Sequence, residues 1–309
     1  MSKTALLFAG QGAQVAGMGR DLAAAFPSAQ ALVNRANAIL GYDLAQVCFA
    51  GPADQLIKTE HAQPGIYLVG WLAFRLLCER VTSLRFEAAA GLSLGEFTAL
   101  AAAGALAFED GLRLVRARGR FMQEACAATP GGMAAVIGLE EAPLREVCAE
   151  GGVEIANLNC PGQIVIAGAT DALARACELA KARGAKRALP LPVAGAYHSR
   201  LMATAQSRLE AELASYRFAE PRVPVIANVT ARPHGGAAAI PQLLARQVTA
   251  PVRWEESIRH LLAQGFSQFI ELGPGTALTG FLRRLDRQAR ALNVGDLPSL
   301  EATVAALRG

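Results

Sequence analysis

The stretch Ala88–Gly104, AAAGLSLGEFTALAAAG, sets one serine, Ser93, between Gly91 and Gly95, with small residues before it and an alanine-rich, helix-favouring run after it. Two readings explain a hydroxyl cleared of neighbouring side chains. One is a tight turn inside a core. The other is a nucleophile held on a strained strand-to-helix bend, with the N–H of the next residue, Leu94, aimed at any oxyanion that forms.

A second glycine-rich turn follows the first apolar run, in LLFAGQGAQVAGMG (Leu6–Gly19). The dinucleotide pattern fails because Val15 stands where its third glycine belongs, and the P-loop pattern fails because Met18 stands where lysine is needed. What remains is nearly bare backbone around Gln11. It can offer a second N–H to the same oxyanion if its strand lies beside that of Ser93, or it is an ordinary strand–helix turn.

Placed on a helix at about 100° per residue, EDGLRLVRARGRFMQEAC (Glu109–Cys126) puts Leu112, Leu114, Val115, Phe121 and Met122 on one half. Arg113, Arg116 and Arg120 fall on the other half, but Arg118 falls within the apolar arc. A buried guanidinium without a partner costs several kcal/mol or more. Arg118 therefore needs an anion, from a core carboxylate or from a substrate. His198, in GAYHSRLM, precedes a helical pattern downstream of Ser93 and is the best general-base candidate of the four histidines, although a loop histidine can equally be a cap.

Composition narrows the class. Of 309 residues, 52% are hydrophobic and 18% charged, which implies a globular chain with a substantial core. A net charge of +4 is too small to argue for nucleic acid, but it suits an acidic partner. The six cysteines show no C-x-x-C pair and the histidines no ligand spacing, so no metal site is expected and the thiols read as reduced. MSKTALLFAGQG has too short an apolar run for a signal peptide, and PGIYLVGWLAF stops at Arg75, short of a membrane span. A soluble cytoplasmic monomer is expected.

The expected fold class is α/β. TALLFAG, FEAAAG, VPVIANV, FSQFIEL and ARALNVG read as strands alternating with helices, the mark of a parallel sheet. Between them, MAAVIGL, VEIANLN, QIVIAG and RALPLPV, with helical runs in the first and third gaps, give the β-α-β-β-α-β order of a ferredoxin-like unit. The expected organisation is an α/β-hydrolase-like body, 1–128 and 195–309, with a small α+β subdomain, 129–194, inserted. A cleft between two such bodies is a common place for a site.

Taken together, FAGQGAQ, GLSLGE, RARGRFMQEA, NCPGQIVIAG, GAYHSRLM, QVTAPVRW and ELGPG resemble, in order and over nearly the whole chain, the malonyl-CoA:acyl carrier protein transacylases and the acyltransferase domains of polyketide synthases. The resemblance implies Ser93 as the acyl-accepting nucleophile and His198 as its base, oriented by the backbone carbonyl of Gln247 in a Ser–His dyad. It implies an oxyanion hole from the amides of Gln11 and Leu94, Arg118 gripping the malonyl carboxylate, and Gln63 as a polar neighbour. Leu94 and Tyr197 resemble the bulky residues of malonyl-selective members. Malonyl-CoA and acyl carrier protein are the implied partners, with no metal or other cofactor. Arg283, Arg284, Arg287 and Arg290, with KARGAKR (Lys181–Arg187), are candidates for meeting an acidic carrier. One departure is Leu92, where the family usually has histidine; chemistry is expected to survive it. A serine-dependent thioesterase, a trans-acting polyketide synthase acyltransferase and a non-catalytic carrier-binding relative are the alternatives.

Overall fold

The computed structural model describes residues 2–308. Its main sheet has the order β10-β9-β1-β2-β7-β8, formed by Arg290–Val294, Phe266–Leu272, Lys3–Phe8, Ala88–Gly91, Val225–Ala227 and Arg232–Pro233. All pairs are parallel except the short edge pair β7–β8. β1 lies at the centre, and from Thr4 to Phe8 every residue is buried, as a parallel strand covered on both faces requires. β2 is almost all alanine.

The second sheet is antiparallel, with β3 (Gly131–Ile137), β4 (Glu154–Cys160), β5 (Gln163–Ala169) and β6 (Arg187–Pro190) in the order β4-β5-β3-β6. Helices Glu141–Gly151 and Thr170–Ala182 fill the first and third gaps and close a separate apolar core on this sheet. The strand order and alternation are those expected of a ferredoxin-like unit.

Two strands are shorter than their apolar runs predict. VPVIANV yields only Val225–Ala227, because the next residue, Asn228, gives its backbone N–H to the Glu96 carboxylate at 3.0 Å instead of to a ladder. RALPLPV is a strand only to Pro190, with one further bond to β3 from the Leu191 N–H to the Met133 carbonyl (2.9 Å) before Pro192.

β4 is tied to the segment after Gln247 where Asn157 bridges Val252: the Val252 N–H donates to the Ala156 carbonyl (2.8 Å) and the Leu158 N–H to the Val252 carbonyl (2.9 Å). This tie fixes the segment after Gln247 at the boundary of the two bodies. A pocket of about 410 Å³ opens there, lined by Arg145, Cys148 and Val153 on one side and His198, Thr249 and Pro251 on the other.

β1 and β2 are adjacent and in register, Phe8 opposite Gly91, so the turns that follow them meet at the carboxyl edge of the sheet. The strand order reverses beside them, between β1 and β9, the usual ligand position of open α/β sheets. The glycines at Ser93 exist for closeness. A Cβ on Gly91 would lie 1.9 Å from the backbone of Gly95, and one on Gly95 would lie 2.2 Å from the carbonyl oxygen of Phe8. Since Gly95 opens the helix Gly95–Ala102, propensity alone would favour Gly95→Ala by about 1 kcal/mol. The clash predicts the opposite, a loss of about 3 kcal/mol in urea unfolding. Equal or greater stability of the alanine variant would contradict this packing.

Candidate active site

Ser93 sits at φ 53° and His198 at φ 58°, both in the left-handed region that costs a side-chain-bearing residue about 1–3 kcal/mol. The surrounding hydrogen bonds hold them there. The Ser93 N–H donates to Asn228 Oδ1 (2.6 Å), and Asn228 Nδ2 donates to the Gly91 carbonyl (2.7 Å), clamping the bend from both sides.

The His198 ring lies between two oxygens: Nδ1 is 2.8 Å from the Gln247 carbonyl and Nε2 is 2.8 Å from Ser93 Oγ. A carbonyl only accepts, so Nδ1 carries the proton and Nε2 is free to accept from the serine hydroxyl. Burial, and then the nearby Arg118 charge, push His198 down from 6.5 to about 4. The ring is neutral at pH 7, as a waiting base must be.

Arg118, on the helix Phe108–Ala128, is 1% exposed, whereas Arg113, Arg116 and Arg120 face solvent. Its Nη2 donates to Ser93 Oγ (3.0 Å) and to Gln247 Oε1 (2.9 Å). Both acceptors are neutral, and its Nε and Nη1 are buried without a partner among the described residues. Burial lowers its pKa from 12.5 to about 10, so it remains charged at neutral pH. Of the two anions open to Arg118 in the sequence, the core carboxylate is not in contact.

A second cluster borders the first. Tyr197 Oη lies 2.7 Å from Thr59 Oγ1 and accepts from Gln11 Nε2 at 3.3 Å, while Gln63 Nε2 donates to Gln11 Oε1 at 3.3 Å. Tyr197 and Leu94, the chain neighbours of His198 and Ser93, are both buried. The backbone N–H groups of Gln11 and Leu94 donate to no acceptor among the described residues, which leaves both amides available to an incoming oxygen.

The fold thus links Ser93, His198, Gln247 and Arg118 by direct hydrogen bonds and groups Gln11, Gln63 and Tyr197 next to them. Three residues were not anticipated: Thr59, Asn228 and Glu96. Glu96 carried the signal that found Arg118, a charge within an apolar helix, GEFTALAA, and it is 0% exposed. The side-chain role of Gln247 was also missed. Leu92 packs with the apolar cluster beneath the main sheet and needs no polar partner. Among the arginine candidates for a carrier surface, Arg284 donates to Gln163 and Pro161, Arg290 to Gln268, and Arg183 to Glu146 and Glu150, so part of that charge is used within the chain. Among the described residues no group of metal ligands occurs, and no helix is long and apolar enough to cross a membrane.

Burial of His198 has a kinetic consequence. Labelling of Ser93 by a serine-reactive fluorophosphonate should be independent of pH from about 6 to 8 and lose half its rate only near pH 4, because the base is protonated only there. A half-maximal pH at the ordinary 6.5 would contradict the burial. By the same linkage, the unfolded chain binds a proton at His198 more readily than the folded one. That contribution to stability is complete above about pH 6.5 and is lost as pH falls toward 4.

The acyl transferase domain family matches residues 5–301. The malonyl CoA-acyl carrier protein transacylase of Bacillus subtilis is 42% identical over 313 residues, spanning 100% of this chain and 98% of that protein. The polyketide biosynthesis protein ThaF of Burkholderia thailandensis is 47% identical over 92% of this chain, although the chain spans only 24% of that protein. Among solved structures, a complex of a type II polyketide synthase acyl-carrier protein with its malonyl-transacylase contains a chain that superposes with a TM-score of 0.94 at 38% identity, covering 99% of this chain and 100% of that one. With its fold, the order of its motifs and these full-length matches in agreement, the chain belongs to the malonyl CoA-acyl carrier protein transacylase family of acyl transferases.

Proposed function

We propose that this chain is a malonyl-CoA:acyl carrier protein S-malonyltransferase acting through a malonyl-Ser93 ester, as a cytoplasmic enzyme. The observation that carries the reading is a fully buried Arg118 with Nε and Nη1 unpaired, bonded to the hydroxyl of a Ser–His dyad. A thioester hydrolase needs the dyad but gives no reason to bury such a charge. A malonyl carboxylate does.

Ser93 Oγ attacks the thioester carbonyl while its proton passes to His198 Nε2. The C–S bond breaks, and coenzyme A leaves as a thiol with that proton. The carrier's phosphopantetheine thiol then gives its proton to His198 and attacks the ester, and Ser93 recovers a proton as it leaves. The amides of Gln11 and Leu94 serve the oxyanion in both halves, where one donor is worth about 3–4 kcal/mol.

Arg118 holds the carboxylate with charged hydrogen bonds of about 1.5–3 kcal/mol. Neutralising Arg118 also relieves the field that depresses His198, so the right substrate strengthens its own base. Tyr197 and Leu94 fill the room an α-branch would need, which favours malonyl over methylmalonyl. The ester chemistry calls on side chains and backbone amides alone. The inserted unit, 129–194, is proposed as the second wall of the substrate cleft against 1–128 and 195–309, in a protein acting as a monomer.

Intact-protein mass after brief exposure to malonyl-CoA tests the reading. One malonyl adduct on the wild type, none on Ser93→Ala, and discharge onto thiol-loaded carrier protein are expected. Running the discharge with a fatty acid carrier and a polyketide carrier separates those two pathways. No adduct, or loss of the adduct as free malonate with the carrier unloaded, would sink it. Acetyl-CoA leaves Arg118 unpaired, so malonyl-CoA should be preferred by more than about 100-fold. Arg118→Ala should erase most of that preference in competition assays, and an unchanged ratio would remove Arg118 from substrate recognition.

A further inference from the structure

Beneath the dyad lies a buried carboxylate that the proposed reaction does not use. Glu96, on the turn of helix that follows Ser93, is 0% exposed. Its Oε2 accepts from the Asn228 N–H (3.0 Å) and from Gln247 Nε2 (2.7 Å). Its Oε1 lies 2.8 Å from Nε2 of the buried His234.

A carboxylate oxygen such as Oε2 can only accept these bonds. That fixes which end of the Gln247 amide faces it: Nε2 must turn toward Glu96, where it also donates to the Ser93 carbonyl at 2.9 Å. The other end, Oε1, is then obliged to face Arg118 Nη2. With Nη2 held by Gln247 and Ser93, the Nε and Nη1 edge is the part of the guanidinium left without partners.

Resting on the transacylase reading above, we infer that Glu96 is a positioning residue for acyl selection: through the side chain of Gln247 it sets the orientation in which Arg118 offers its free edge to the malonyl carboxylate. Its charge also partly compensates that buried cation from one residue away, where it does not compete with the substrate. The orientation of His198 is separate, since it rests on the main-chain oxygen of Gln247. Loss of the Glu96 charge frees the Gln247 amide to turn, and a turned amide presents N–H groups to a guanidinium that can only donate.

The readout is the ratio of Ser93 acylation rates with malonyl-CoA and acetyl-CoA, followed by intact-protein mass. Glu96→Gln keeps the shape and removes the charge. It should lower the ratio by about tenfold or more, through the malonyl-CoA rate. Gln247→Met, which keeps the main-chain carbonyl, should lower the ratio similarly, and the double variant should lower it no further than either single one. An unchanged ratio, or an equal fall with both acyl-CoA substrates, makes Glu96 a structural support only and overturns the inference. Additive effects in the double variant overturn it too. If Glu96→Gln does not fold, Gln247→Met decides alone, because an unchanged ratio there removes the relay. Absence of any malonyl adduct on the wild type is a different result, and it sinks the transacylase reading itself.

Discussion

The site is organised around one cost, a guanidinium taken out of water without a carboxylate against it. Arg118 has two neutral acceptors and two unpaired nitrogens. A direct ion pair would relieve that cost and also block the anion subsite. The fold takes a middle course: a carboxylate, Glu96, lies one side chain away and acts through a neutral amide. The cation is compensated enough to stay charged and exposed enough chemically to want a partner. In the proposed reaction that partner is the substrate, so the penalty carried by the resting protein is relieved by binding.

The same cation shapes the base. A Ser–His–carboxylate triad stabilises its imidazolium with a negative charge; here the third position is a carbonyl, and a positive charge lies nearby. Burial first, and then that charge, keep the ring neutral and able to accept a proton. Left-handed backbone at both Ser93 and His198 adds strain that the Asn228 clamp and the Gln247 carbonyl hold in place. Such strain persists only where its surroundings over-determine it.

Much of this was legible in the chain. Alternating strands and helices, and the β-α-β-β-α-β order of the middle segment, follow from hydrophobic periodicity and turn residues, which are local. Arg118 was legible because a helix has a definite phase, so a charge on the apolar arc stands out. His198 became more than one loop histidine among four only through the ordered motifs around it. Glu96 carried the same mark as Arg118, yet its helix is apolar on every side and so gives no phase to violate. Asn228 was read as strand, since its preceding residues are β-branched; only the tertiary bond from its N–H to Glu96 ends the strand there. The Gln247 side chain was invisible for a related reason: its closest hydrogen-bonding partners, Arg118, Ser93 and Glu96, are more than a hundred residues away in sequence, and only the longer contact to Asn228 is nearer.

The most direct test is a crystal structure of the protein trapped as its malonyl-Ser93 ester. The malonyl carboxylate is expected against Nε and Nη1 of Arg118, with the carbonyl oxygen toward the amides of Gln11 and Leu94 and the Gln247 bond to Nη2 intact. A carboxylate pointing to solvent, with the free edge of Arg118 still unpaired, would contradict it.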